Sequence, residues 1–323
     1  MLNIFLSNRV STVFVIPILL LLFWFGSFSQ PLPVNTNTTF VYELFYNMLS
    51  DYPLYNRIVG LIISVFLVFF VSRIFNANDF YNKENAVPSV VMAIMIGAWS
   101  GFHFFSPIYI SIFFLLLAFD RMLNVYHQKT IIRELFDTSF LIGLAALFYY
   151  PIVLFVLTIY AYLIIARSFS FRETIIPLIG LLTPFYFLAG AFYLFDITPV
   201  FVDINTSGVF TTLIYESGLT QRFYLVITVL LIILSLFHIF KILNRAKVRV
   251  QLSRKFLLIA FLNGILVYWV SLSYYPIIES SFFLMLPAVL LIPFFFLESR
   301  NIYRKIGFYF WLIAALLFDY IAI

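Results

Sequence analysis

Cysteine is missing from all 323 residues, so neither disulfides nor thiolate metal sites are available. Charge is scarce too, at 10% of the chain. The net charge of +5 is carried by short loops, and nucleic-acid binding would need a basic soluble domain that this sequence lacks. Histidine occurs three times, as His103, His127 and His238, too scattered to form a metal-ligand set. No phosphate-cradling glycine loop, nucleophile elbow or HExxH motif is present. No metal and no cofactor is therefore expected.

What fills the chain instead is apolar. Hydrophobic residues make up 64%, with 43 Phe and 21 Tyr, and several runs approach the 18 or so uncharged residues that mark a membrane-spanning helix. The runs are apolar on every face, whereas a transmembrane β-strand alternates apolar and polar residues. The sequence predicts an all-α polytopic transmembrane bundle forming a single membrane domain over 1–323.

About eleven spans are expected, at 10–29, 57–75, 87–103, 106–120, 137–149, 151–166, 174–195, 222–241, 255–273, 280–297 and 306–323. Tyr149, Tyr150 and Pro151 mark either a turn between two short helices or a kink in one long one. Charge favours two. With the N-terminus inside and eleven crossings, seventeen of the nineteen lysines and arginines fall on the inner face, leaving only Arg57 and Arg222 outside. Merging the pair would send the basic residues of 167–172 and of the loop 241–255 to opposite faces. The expected topology is N-in and C-out, with the first span an uncleaved signal anchor. The loop 241–255, with six basic residues and no acid, reads as a topology determinant that also meets anionic headgroups.

The outer face is acidic in two places. One is the loop 196–222; the other is FVYELFYNMLSDYPLYNR, 40–57, whose Val41, Leu44, Phe45, Met48 and Leu49 recur at helical spacing. An amphipathic helix along the membrane surface is the simplest reading of 40–57. Its carboxylates, Glu43 and Asp51, share a face about 12 Å apart, too far to share one proton. They are either candidate catalytic groups or the polar face of a surface helix. His103 is the histidine nearest these acids. Inside the spans almost nothing is ionisable, which weighs against an ion-coupled pump.

The order of a first span, an acidic external segment, a second span, a cytoplasmic loop and two spans joined by a short outer turn resembles the amino-terminal module of the GT-C class of membrane glycosyltransferases. LFDTSFLIGLAALFYYPIVLFVLTIYAYLIIAR, 135–167, resembles that class's Gly-Leu-Ala-rich helical hairpin, with Tyr149 and Tyr150 about where a Lys is frequent. The overall texture also looks like a family of polytopic inner-membrane proteins from Bacteroidota. The resemblance implies a bacterial cytoplasmic-membrane protein of cell-envelope assembly whose donor is a sugar on a polyprenyl phosphate in the outer leaflet. Glu43 or Asp51 would then deprotonate or orient the acceptor, with His103 assisting, and Arg57 and Arg222 would hold the lipid phosphate. VYELFYN carries one isolated Glu where the class commonly has an acidic pair.

Two other functions stay open from the residues themselves. A non-catalytic subunit of a larger envelope or secretion complex would use the aromatic surfaces for membrane-protein partners. A transporter or flippase for a lipid or small solute would use helices interrupted at Pro17, Pro184, Pro287 or Pro293.

Overall fold

The computed structural model describes residues 10–29, 52–78, 80–81, 83–99, 102–106, 108–124, 131–166, 170–196, 219–243, 248–272, 277–298 and 301–322, together with Phe5, Val41 and Met48. Among these the chain is all-helical. Eleven α-helices follow one another: α1 (Val10–Trp24), α2 (Pro53–Ala77), α3 (Val87–Gly97), α4 (Ile108–Leu123), α5 (Ile132–Phe148), α6 (Val156–Ala166), α7 (Phe171–Leu194), α8 (Leu219–Leu243), α9 (Val248–Ser271), α10 (Ile277–Glu298) and α11 (Asn301–Ala322). Local chemistry sets several starts. Pro53 occupies the first position of α2, where its missing N–H costs nothing. Asn85 Oδ1 accepts the Val87 N–H at 3.2 Å to open α3, and Glu173 reaches back to the Ser170 N–H at 3.0 Å to open α7.

Five helices are long and apolar enough to cross a membrane: Pro53–Ala77, Phe171–Leu194, Tyr224–Lys241, Val250–Ser271 and Ser280–Glu298. Their outer surfaces agree. Along α7, Ile175, Leu178, Ile179, Leu182, Tyr186 and Phe187 are all exposed, an apolar face that water would not tolerate and lipid would. The protein is a helical membrane protein.

Several boundaries differ from the sequence expectation. The run 57–75 begins four residues earlier, so Arg57 is the fifth residue of α2. The run 87–103 is helical only to Gly97. At about 16 Å, α3 is half the thickness of a bilayer core, and every one of its residues is buried. Hydropathy reported the burial of α3 faithfully but not its solvent, which is protein. Tyr149, with φ −149° and ψ 102°, leaves the helical region, ends α5 and hands the chain to a 3-10 stretch at Tyr150–Phe155 before α6. The Tyr-Tyr-Pro signal therefore separates two helices.

The core is built on α3 and α10. α3 packs against α1, α2, α10 and α11, while α10 also meets α8 and α9. Lipid offers helices no hydrophobic reason to associate, so close backbone approach and polar contacts do the joining. A Cβ on Gly180 of α7 would stand 2.1 Å from Ser139 Oγ of α5, and one on Gly143 would meet the Leu181 carbonyl oxygen at 2.6 Å. Asn263 Nδ2 of α9 donates to Thr158 Oγ1 of α6 at 2.7 Å, and Trp311 Nε1 of α11 donates to Thr228 Oγ1 of α8 at 3.1 Å.

α7 ends with Asp196 in the left-handed region at φ 52°. Asp bears that conformation better than most residues and a β-branched side chain bears it badly. Asp196→Val should lower stability by about 1–2 kcal/mol, while Asp196→Gly should leave it unchanged or slightly raised. Reversible unfolding of the purified chain in mixed detergent micelles measures both.

Candidate functional site at the His103 end of the bundle

α1 and α3 end, and α2 and α4 begin, at one end of the bundle. The connection after α3 brings His103 against the turn that follows α1. His103 Nε2 lies 2.9 Å from the Gly97 carbonyl oxygen and Nδ1 lies 2.6 Å from Ser27 Oγ. A carbonyl only accepts, so Nε2 carries the proton and Nδ1 accepts the Ser27 hydroxyl. The Trp24 ring covers the imidazole at 4.2 Å between centroids, tilted by 30°.

The second half of the site comes from α2. Asn56 Oδ1 accepts the Phe105 N–H at 2.7 Å, tying α2 to the segment that holds His103. Gly60 makes this possible: a Cβ there would sit 2.7 Å from the Phe104 carbonyl carbon. The Tyr109 hydroxyl donates to the Phe102 carbonyl from the other side. Arg57 is 3% exposed and close enough for its charge to act on His103. His103 sits on the connection outside both helices, and its burial, opposed by the Gly97 bond and aided by Arg57, pushes the imidazole down to about 3. It is neutral across the physiological range.

Chemically this is a neutral, doubly engaged imidazole beside a shielded guanidinium. Arg57 lies about one turn inside α2, and a guanidinium buried there is a strong donor toward an anion. The Trp24 indole N–H and the Asn56 amide nitrogen Nδ2 are buried here without a hydrogen-bond partner among the described residues. Each is a donor turned inward with nothing to accept it.

No family model matches this chain, and no curated protein or solved structure matches it either.

Of the expected site residues, the structure brings His103 and Arg57 together. Glu43 and Asp51 lie outside the described residues, as do the remainder of 40–51 apart from Val41 and Met48, and the loop 197–218. Arg222 falls in the first turn of α8, and its side chain also lies outside the described residues. Two residues on, the Tyr224 ring stands edge-on to Trp99 at 6.3 Å, which puts the start of α8 at the same end of the bundle. Trp24, Ser27 and Asn56 went unread in the sequence. Asn56 had a signal, since YNR is the last polar group before an apolar run; Trp24 and Ser27 had none. Among the described residues no three His, Asp or Glu side chains converge as metal ligands.

Proposed function

We propose that this chain is an eleven-span, N-in and C-out protein of the bacterial cytoplasmic membrane that acts on a polyprenyl-phosphate-linked substrate at the outer leaflet during cell-envelope assembly. The observation that carries this reading is the placement of Arg57. It is a guanidinium shielded from solvent one turn inside α2, at the same end of the bundle as two unpartnered donors, Trp24 Nε1 and Asn56 Nδ2. An acceptor-rich phosphate can take both of those donors and meet the charge of the guanidinium. His103 serves as a positioning residue that holds the connection 102–106 against α1, while Glu43 or Asp51 takes the role of base toward the acceptor, as in a GT-C-like sugar transferase. Arg222 is a second phosphate ligand in this scheme.

Binding by the purified full-length chain tests it. Wild type should retain a polyprenyl phosphate in preference to the uncharged polyprenol. Arg57→Gln should weaken that retention by about tenfold to a hundredfold, with Arg57→Lys in between. Equal binding of phosphate and alcohol, or an unaffected Arg57→Gln variant, rejects the reading.

One observation favours a second reading, the non-catalytic subunit of an envelope complex. Both His103 nitrogens are engaged, which suits a residue that holds structure. That reading expects stable co-purification with membrane partners and indifference to neutralisation of Glu43 and Asp51.

A further inference from the structure

At the other end of α2, sixteen residues or about 24 Å along the helix axis from Arg57, a cavity of about 430 Å³ opens between α1, α2 and the start of α3. It falls in the size range of small-ligand sites. Its polar wall is built. Ser72 Oγ and Asn76 Nδ2 both donate to the Asn85 carbonyl at 3.0 Å, and Asn76 Oδ1 accepts the Asn85 N–H at 3.2 Å. This lock fixes Asn85, whose side chain opens α3, so the positive end of the α3 dipole is held at the cavity.

Two further groups point to a ligand. Ser89 lines the cavity at 1% exposure, and its hydroxyl has no hydrogen-bond partner among the described residues. A buried hydroxyl left unmade costs about 1–3 kcal/mol, so its presence needs a reason. Arg73 also lines the cavity and makes no ion pair among the described residues, although it stands one turn from the end of α2. A guanidinium, a free hydroxyl and a helix N-terminus converging on one space make a site for a phosphate ester. Glu84 stands on the same wall, which disfavours a ligand of net negative charge. Val13 and Phe69 supply an apolar flank beside these groups, and Val13 is itself exposed on the outer face of α1.

We infer that this cavity binds the headgroup of a zwitterionic phospholipid, its phosphate held by Arg73 and Ser89 and its ammonium turned toward Glu84. The apolar flank carries the start of an acyl chain, which separates a lipid from a free phosphate ester. The site shares no residue with the Arg57 end and stands whether or not the function proposed there does.

Native mass spectrometry of the full-length chain, delipidated in detergent and then offered one lipid at a time, tests the assignment. Phosphatidylethanolamine should be retained at one equivalent, at least about tenfold better than phosphatidylglycerol, whose headgroup bears no ammonium. Arg73→Gln should abolish that equivalent and Ser89→Ala should weaken it several-fold. Glu84→Gln should erase the preference between the two lipids. Size-exclusion profiles matched to wild type establish that each variant is folded, and because Arg73 is exposed its replacement disturbs no core. Retention unchanged in Arg73→Gln overturns the inference, as does equal retention of both lipids by the wild type. If water-soluble glycerophosphoethanolamine competes as well as the intact lipid, the lipid assignment fails and the ligand is a free phosphate ester.

Discussion

Glu298→Ala should destabilise the folded chain by about 3–5 kcal/mol, the largest single-residue loss expected anywhere in the described bundle. Glu298 closes α10, and its Oε1 lies 2.9 Å from Arg254 Nη2 near the start of α9, with side chains 7% and 5% exposed. The Phe294 ring lies 4.8 Å under the guanidinium carbon. Truncating the carboxylate leaves a buried cation beside an aromatic face, worth only a small part of a salt bridge. The pair itself is weaker evidence of net stability than its loss suggests. Arg254 Nε and Nη1 and Glu298 Oε2 have no hydrogen-bond partners among the described residues, so desolvation is incompletely offset. The double replacement Arg254→Met with Glu298→Leu should therefore recover most of the loss or exceed wild type. Unfolding titrations in mixed micelles on the two single variants and the double variant decide this. A cost under about 1 kcal/mol for Glu298→Ala would show that water reaches the pair.

Neutralising Glu43 or Asp51 should lower the rate of the proposed transferase by about a hundredfold to ten-thousandfold, the contribution expected of a positioned general base. The test is complementation of a deletion strain of the native host with Glu43→Gln or Asp51→Asn at matched membrane abundance, while envelope glycans are profiled. One of the two should reproduce the deletion phenotype and remove a glycan. The stretch 40–57 runs into the start of α2, whose fifth residue is Arg57. If both variants behave as wild type, the stretch is a surface helix, and the subunit reading becomes the better account of a histidine with no free nitrogen.

The helices were legible because burial in protein and burial in lipid demand the same residues. That equivalence also explains what was not legible. Val87–Gly97 and Phe171–Leu194 read alike as apolar runs, yet the first is enclosed on all sides and the second is exposed along half of its residues. Nothing in hydropathy tells a side chain which of the two surrounds it. Pro17, Pro184, Pro287 and Pro293 lie inside continuous helices, so proline here did not mark where helices stop. Tyr149 did: it is extended, two residues before Pro151, and ends the helix there.

The site was legible only where a residue was rare. His103 and Arg57 drew attention as the odd histidine and the odd outer cation, and the structure places them near enough for the charge of one to act on the other. Arg254 was submerged in the basic run 241–255, where counting charges concealed that one of them is buried. Its partner stands 44 positions away at the end of FFFLE. Ser89, in an apolar run, was indistinguishable from a small filler until the structure left its hydroxyl unanswered.

The enclosure of α3 bears on how the protein is made. A helix of 11 residues is too short to partition into a bilayer by itself as it leaves the ribosome, and its enclosing wall includes α10, which begins at Ile277. Nearly two hundred residues of chain must be synthesised between the two. During that interval α3 has no complete housing, and its final seat is taken only after the C-terminal helices arrive. Biogenesis of this protein therefore ends with an internal docking event within the membrane, long after its first spans are in place.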